Sequence, residues 1–277
     1  MNNTAHFRVN AHLAVDAQRC VIQDTTRTRA GLIRVYGDSL SLPRWEDGIH
    51  FSDTYPERVR QHLHSAFKKD IYLYNRSLGG ATIDQLHHQY VNDCKYFGDC
   101  DDIIIIQAGI VDCAPRPLGR RTRSLVGTLP FPIKRRLIAF LHNHRAQLLR
   151  SGLGSRFTTP RRFAAILRQW FSDLRNRHSQ IIFINIAPTL PHIEAHSPGL
   201  TANICEYNKI LADLVGELQI HHLVLIDAYS AIEARGKEQF ISHDDGHHIT
   251  LEGHHLYAEL VIKHGLTRFG QTFQNQS

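Results

Sequence analysis

The sequence predicts a three-layer α/β/α sandwich built on a five-stranded parallel sheet. Five short runs are almost continuously apolar: Leu32–Tyr36, Ile71–Asn75, Asp102–Gln107, Ile181–Ile186 and Leu223–Asp227. Such runs are expected of strands covered on both faces, and Ile103-Ile104-Ile105-Ile106 is the clearest case. Helical or irregular segments separate them, and alternating β and α signals belong to an α/β chain with a parallel sheet. With 277 residues, 42% of them hydrophobic, the chain can bury a large core.

In chain order, residues 1–30 form an N-terminal extension. Its alternation of Phe7, Val9, Ala11, Leu13 and Val15 suggests a strand added to the sheet edge. A single domain over residues 31–270 follows. Pro56–Phe67 is the expected helix after the first strand. A basic insertion occupies about 115–158. Within it, Pro115–Pro130 is rich in Arg, Gly and Pro and reads as a long loop. Pro132–Arg150 reads as a helix with Ile133, Leu137, Phe140, Leu141 and Leu148 set against Lys134, Arg135, Arg136, Arg145 and Arg150, stopped by Gly152. Thr159-Pro160 supplies an N-cap and first-turn proline for a helix with Phe163, Ile166, Leu167, Trp170 and Leu174 on one face. Asn203–Leu218 and Leu251–Lys263 complete the helices.

The net charge of +6 conceals an asymmetry. Between Cys113 and Ser172 stand thirteen Arg or Lys residues and no Asp or Glu. The rest of the chain then holds 32 − 13 = 19 basic and 26 acidic residues, a net of −7. A solvated face would mix signs, so the block points to an anionic partner. Interleaved aromatics and recognition motifs are missing, which disfavours nucleic acid. An acidic glycan, a nucleotide-linked sugar or an anionic lipid head group fits, and the Pro132–Arg150 helix could make peripheral contact with a membrane. No apolar run approaches the roughly 20 residues of a membrane span. The first residues lack a secretory pattern, and five cysteines without metal-ligand spacing suit a reducing compartment, so a cytoplasmic location is expected.

The chemistry gathers at two distant places. Tyr36-Gly37-Asp38-Ser39-Leu40 sets a serine just past the first strand, where open α/β sheets keep their ligands. A serine hydroxyl is nearly inert unless a base takes its proton. Over two hundred residues later, Asp245 precedes His248 by three positions, so the carboxylate can reach Nδ1 while Nε2 faces Ser39. Ser39, His248 and Asp245 are therefore the candidate nucleophile, base and orienting acid. A turn serine and an Asp244–His247 pair are the ordinary alternatives. The histidines at 243, 247, 248, 254 and 255 also admit a zinc reading, but no H-E-x-x-H is present, and neither metal nor cofactor is expected. His254 is expected to pack or cap at the start of the last helix. Arg116, four residues past Asp112, is a candidate anion-gripping residue.

These segments resemble the SGNH/GDSL hydrolase superfamily over about Leu32 to Leu260. The matching blocks are Gly37-Asp38-Ser39-Leu40, the Asn75–Thr82 segment, Gln107-Ala108-Gly109-Ile110-Val111-Asp112, and Asp245-Gly246-His247-His248 with Gly253-His254 behind it. The resemblance implies a flavodoxin-like strand order, 2-1-3-4-5, and an ester hydrolase working through an acyl-enzyme. It also implies an oxyanion hole made by the backbone N–H groups of Ser39 and Gly80. Asp112 keeps the family's acidic position and is assigned to substrate binding, with bracing of its loop as the plainer role. The third block departs from the family, carrying Val111 where an asparagine amide should donate to the oxyanion. Gln107, Asn75 and Arg116 are the candidate substitutes. Removal of O-acetyl groups from an acidic glycan is the expected activity. An O-acyltransferase or a catalytically silent glycan- or membrane-binding relative is the alternative.

Overall fold

The computed structural model describes residues 31–98 and 101–266. Five parallel strands form the sheet: β1 (Gly31–Gly37), β2 (Ile71–Asn75), β3 (Ile103–Gln107), β4 (Gln180–Ile184) and β5 (Leu223–Ile226), in the order β2-β1-β3-β4-β5. This is the expected 2-1-3-4-5 order. In register, Gly37 lies beside Gln107 and Val35 beside Asn75, so the ends of β1, β2 and β3 come level at one edge. Ile103 to Ile106 and Ile181 to Ile184 are fully covered, which is why their sequences show no alternation. The expected edge strand within residues 1–30 lies outside the described residues.

Two helical layers cover the sheet. On one face, α1 (Tyr55–Phe67) packs against α6 (Leu251–Leu260), with the rings of Tyr55 and Tyr257 5.5 Å apart. On the other lie α2 (Ile83–Phe97), α4 (Pro160–Leu174) and α5 (Leu200–Leu218). There Trp170 of α4 sits edge-on to Tyr36 of β1 and beside Tyr90 of α2. Thr159 caps α4 as expected, accepting from the Arg162 amide. Sequence reasoning missed α2. Its start is a reciprocal cap in which Thr82 accepts from the Gln85 amide and Gln85 accepts from the Thr82 amide.

The segment expected to be a loop over Pro115–Pro130 is helical at Arg120–Gly127, and it begins as a strand. Pro115–Arg116 pairs antiparallel with Ser155–Arg156, closing the basic excursion at its base. The helix expected over Pro132–Arg150 runs as α3 (Phe131–Asn143), a turn at Arg145–Leu148, and a wide turn in which Gly152 takes φ +79°. No residue of α3 is buried, and Ile133 and Phe140 are exposed while Lys134 is half-covered. Among the described residues no helix is long and apolar enough to cross a membrane.

Candidate active site

The site lies where β1, β2 and β3 deliver their loops, next to the point where the strand order reverses between β1 and β3. After β1 the chain enters a single 3₁₀ turn, Ser39–Ser41, which folds back over the strand it has just left. The Asp38 carboxylate caps that turn through the Leu40 amide at 2.9 Å. A Cβ on Gly37 would stand 2.1 Å from Ser41 Oγ and 2.8 Å from Ser77 Oγ, so only glycine fits beneath the turn. Ser41, which the sequence reading passed over, is buried there. Gln107 Oε1 can only accept, so Ser41 Oγ donates to it at 3.3 Å and takes a hydrogen bond from Tyr55 Oη at 2.7 Å. Asn75 Nδ2 donates to the Ser41 carbonyl at 2.7 Å and Asn75 Oδ1 accepts from the Ser77 amide.

The structure brings the distant segment to this turn. His248 Nε2 lies 2.8 Å from Ser39 Oγ, and His248 Nδ1 lies 2.7 Å from Asp245 Oδ2. Asp245 Oδ1 accepts from the amides of both His247 and His248. The glycine between them is required: Gly246 has φ +67°, and a Cβ there would come within 2.2 Å of Ile193. The alternative pair does not form, since His247 turns its Nδ1 to the Asp245 carbonyl. Arg44, which nothing in the sequence singled out, reaches Asp245 Oδ2 at 2.9 Å while its other nitrogen holds Asp47. Its loop is closed by a bridge between Arg44 and Ile49.

Environment pushes the carboxyl groups in opposite directions. Partial burial acts to raise the Asp245 pKa, but the two histidine amides and the neighbouring imidazoles outweigh it and leave it below the ordinary range. Burial, then the His247 charge, lowers the His248 pKa; Arg44 adds to this, and Asp245 only partly offsets it. His248 is thus a neutral acceptor near neutral pH. Burial, with a smaller push from a neighbouring carboxylate, drives Asp38 up to about 7 and Asp112 up to about 6.

Neither the Ser39 nor the Gly80 amide has a hydrogen-bond acceptor among the described residues. Gly80 is exposed, with φ +71° and open space where a Cβ would be. Glycine is therefore set there by backbone conformation. One substitute proposed for the missing asparagine is corrected: Gln107 is fully buried under the turn, whereas Asn75 gives one of its two amide hydrogens to the Ser41 carbonyl. Val111 packs partly against the core in the short helix Ile110–Cys113. The substrate-binding role expected of Asp112 is also corrected. It is fully buried, accepting from the Ile83 amide at 2.9 Å and from Thr158 Oγ1 at 2.5 Å, and so it braces the loop. Arg116 lies in the ribbon with its guanidinium 5.3 Å over the Phe157 ring. His254 is buried and neutral, accepting from the Tyr55 amide at 3.2 Å, so it caps α1 from within α6.

Residues 35–256 match the GDSL-like Lipase/Acylhydrolase family. The chain belongs to this family. It is an ester hydrolase. Nothing among curated proteins matches it. Solved structures with the same fold include a lipase/acylhydrolase from Enterococcus faecalis, 16% identical over 84% of this chain and 94% of that one, TM-score 0.57. Another is an alpha/beta hydrolase from the metagenome of Lake Arreo, 17% identical over 84% and 94%, TM-score 0.56. A third is a variant of an acetyl xylan esterase from Geobacillus stearothermophilus, 16% identical over 84% and 93%, TM-score 0.55.

Asp245, His247 and His248 also place possible metal-ligand atoms within 4.8 Å of one another. Two of those atoms, Asp245 Oδ2 and His248 Nδ1, are already bonded to each other.

The buried carboxyl of Asp38 makes stability depend on pH. Its folded pKa, about 7, exceeds the ordinary 3.8, so its contribution is present below about 4 and is lost as pH rises through about 7. Over that window the melting temperature of the native chain should fall relative to Asp38→Asn, measured by thermal denaturation at a series of pH values. A constant difference between the two proteins would mean that Asp38 titrates as an ordinary carboxylate.

Proposed function

We propose that this esterase removes O-acetyl groups from a carbohydrate through a covalent acyl-enzyme on Ser39. The observation that carries the reading is the unbroken chain Ser39 Oγ–His248 Nε2, His248 Nδ1–Asp245 Oδ2, at 2.8 and 2.7 Å, beside two unengaged amides. Ser39 Oγ attacks the ester carbonyl carbon as His248 Nε2 takes its proton. Asp245, held ionised by its donors, fixes the imidazole tautomer and stabilises the imidazolium that forms. The amides of Ser39 and Gly80 face the oxygen on which charge develops. Collapse breaks the bond to the sugar oxygen, which leaves with the proton from His248. Water then repeats the sequence and frees acetate and Ser39. A carbohydrate substrate is supported by the likeness to the Geobacillus acetyl xylan esterase.

A fluorophosphonate probe should add one adduct at Ser39, absent in Ser39→Ala, as read by intact mass. On an activated acetyl ester, kcat/KM should rise with pH through a midpoint below the ordinary imidazole value of 6.5. Arg44→Ala should move that midpoint up, because a cation that disfavours the imidazolium is gone. Activity that survives His248→Ala yet disappears with a chelator would replace this mechanism by a metal one.

With two donors in the hole, Val111→Asn should raise kcat and leave KM similar, since an oxyanion donor acts mainly in the transition state. One such donor is worth on the order of 10²–10³ in turnover elsewhere, and recovery of even tenfold would be diagnostic. An unchanged kcat would mean that another group already occupies the place.

Arg116 is proposed to grip an anionic part of the substrate, since a guanidinium pairs with carboxylate in bidentate fashion and Arg116 follows the β3 loop closely. An acidic acetylated saccharide should be preferred over a neutral one at low salt. The preference should shrink at high salt and in Arg116→Ala. Equal kcat/KM for both substrates at every salt concentration would refute this role.

A further inference from the structure

The thirteen basic residues between Cys113 and Ser172 do not act as one face. Three are turned inward to acids of the body: Arg156 to Glu206 at 2.7 Å, Arg162 to Asp84 at 3.1 Å, and Arg168 to Glu217 at 2.9 Å. Arg145 is spent on Ser197 Oγ and the Pro115 carbonyl. By contrast, the side chains of Lys134, Arg135, Arg136 and Arg150 make no ion pair or hydrogen bond among the described residues. All four lie on α3 or the turns that follow it.

The apolar residues of this element are also left uncovered. Leu125, Phe131, Ile133, Ile138 and Phe140 are 50–76% exposed. At 100° per residue, the half-covered Lys134, Leu137 and Leu141 mark the side of α3 that faces the protein. The opposite side carries Arg135, Arg136 and Ala139. It is flanked on one edge by Phe131 and Ile138 and on the other by Ile133 and Phe140. Each flanking pair is seven residues apart and so stacked along the helix. Large exposed apolar groups in such a set mark an interaction surface.

We propose that α3 is a docking arm that lies on an anionic lipid bilayer. Phe131, Ile133, Ile138 and Phe140 would enter the boundary between head groups and acyl chains, and Arg135, Arg136 and Arg150 would meet the anionic head groups. The charge decides the occupant. A second copy of this chain would set one unpaired basic face against another. An acidic glycan would satisfy the cations and leave the apolar pairs in water. A bilayer with anionic lipid takes up both. With 13 residues, α3 is too short to cross a bilayer and lies in its plane. The inference does not depend on which ester the site cleaves.

The full chain should sediment with phosphatidylcholine vesicles that contain phosphatidylglycerol at low salt, should release at high salt, and should ignore phosphatidylcholine alone. The double variant Arg135→Gln/Arg136→Gln should bind roughly fivefold more weakly for each charge removed. Phe131→Ser/Phe140→Ser should lose most binding. Both variants should keep the melting temperature and the kcat/KM on a water-soluble acetyl ester, so a failed arm is distinguishable from a failed active site or a failed fold. Three results would overturn the proposal. One is equal sedimentation of the native chain and both variants. Another is a concentration-dependent dimer that Phe131→Ser/Phe140→Ser abolishes, which would assign the face to a second copy. The third is retention on an acidic polysaccharide without vesicle binding, which would assign it to a glycan.

Discussion

The close approach of Ser41 to Gly37 is the constraint on which the site depends. A 3₁₀ turn placed directly on the end of its own strand has room only if the strand residue has no side chain. Once seated, the turn is pinned by one helical layer and by the sheet. Tyr55 arrives from α1, whose first amide is held by His254 of α6, and Gln107 arrives from the end of β3. Asn75, at the end of β2, ties the Ser41 carbonyl to the start of the loop that leads to Gly80. The placement of Ser39 is therefore inherited from buried hydrogen bonds that all converge two residues away from it. This is how a three-residue turn can hold a hydroxyl within 2.8 Å of a histidine 209 residues along the chain.

The carboxyl groups of the site show how one residue type is given different states. Asp245 is partly buried yet accepts from two amides and an imidazole and pairs with Arg44, so ionisation is favoured. Asp38 and Asp112 each accept from a single amide and a side chain, deep enough that desolvation wins. The carboxylate most firmly held ionised is thus the one bonded to His248. Burial, with His247 and then Arg44 adding to it, keeps His248 below its ordinary pKa and ready to accept a proton.

Much of this was legible in the sequence, and the exceptions have physical reasons. The strands were readable because burial on both faces leaves an unbroken apolar run, as at Ile103–Ile106. Ser39, Asp245 and His248 were readable because short local spacings specify how a carboxylate meets its histidine. The helix α2 was missed because His87, His88, Gln89 and Asn92 dilute its apolar period, although Thr82 and Gln85 carried a cap signal. Arg44 could not be found, since its partner lies across the whole chain and a lone arginine in a loop has no period. Ser41 was missed although the glycine four residues before it hinted at a close approach. The exposure of the outer face of α3 was not legible, because amphipathic spacing tells which residues share a side and not whether anything covers that side.

The basic excursion has its two ends fastened where the site is already rigid. Asp112 takes the Ile83 amide and the Thr158 hydroxyl, while its carbonyl accepts from the Thr158 amide at 3.2 Å. Asn203 of α5 donates to the Cys113 carbonyl at 2.9 Å, and Tyr207 of the same helix donates to the Thr158 carbonyl. Both feet of the excursion are thus clamped to α2 and α5 before the ribbon at Pro115–Arg116 begins. Motion or contact of α3 at a surface need not then be transmitted to Ser39, whose own fastenings run through α1, α6 and the ends of β2 and β3. Chemistry and docking rest on separate sets of buried hydrogen bonds, and the sheet edge between β1 and β3 is where the two sets meet.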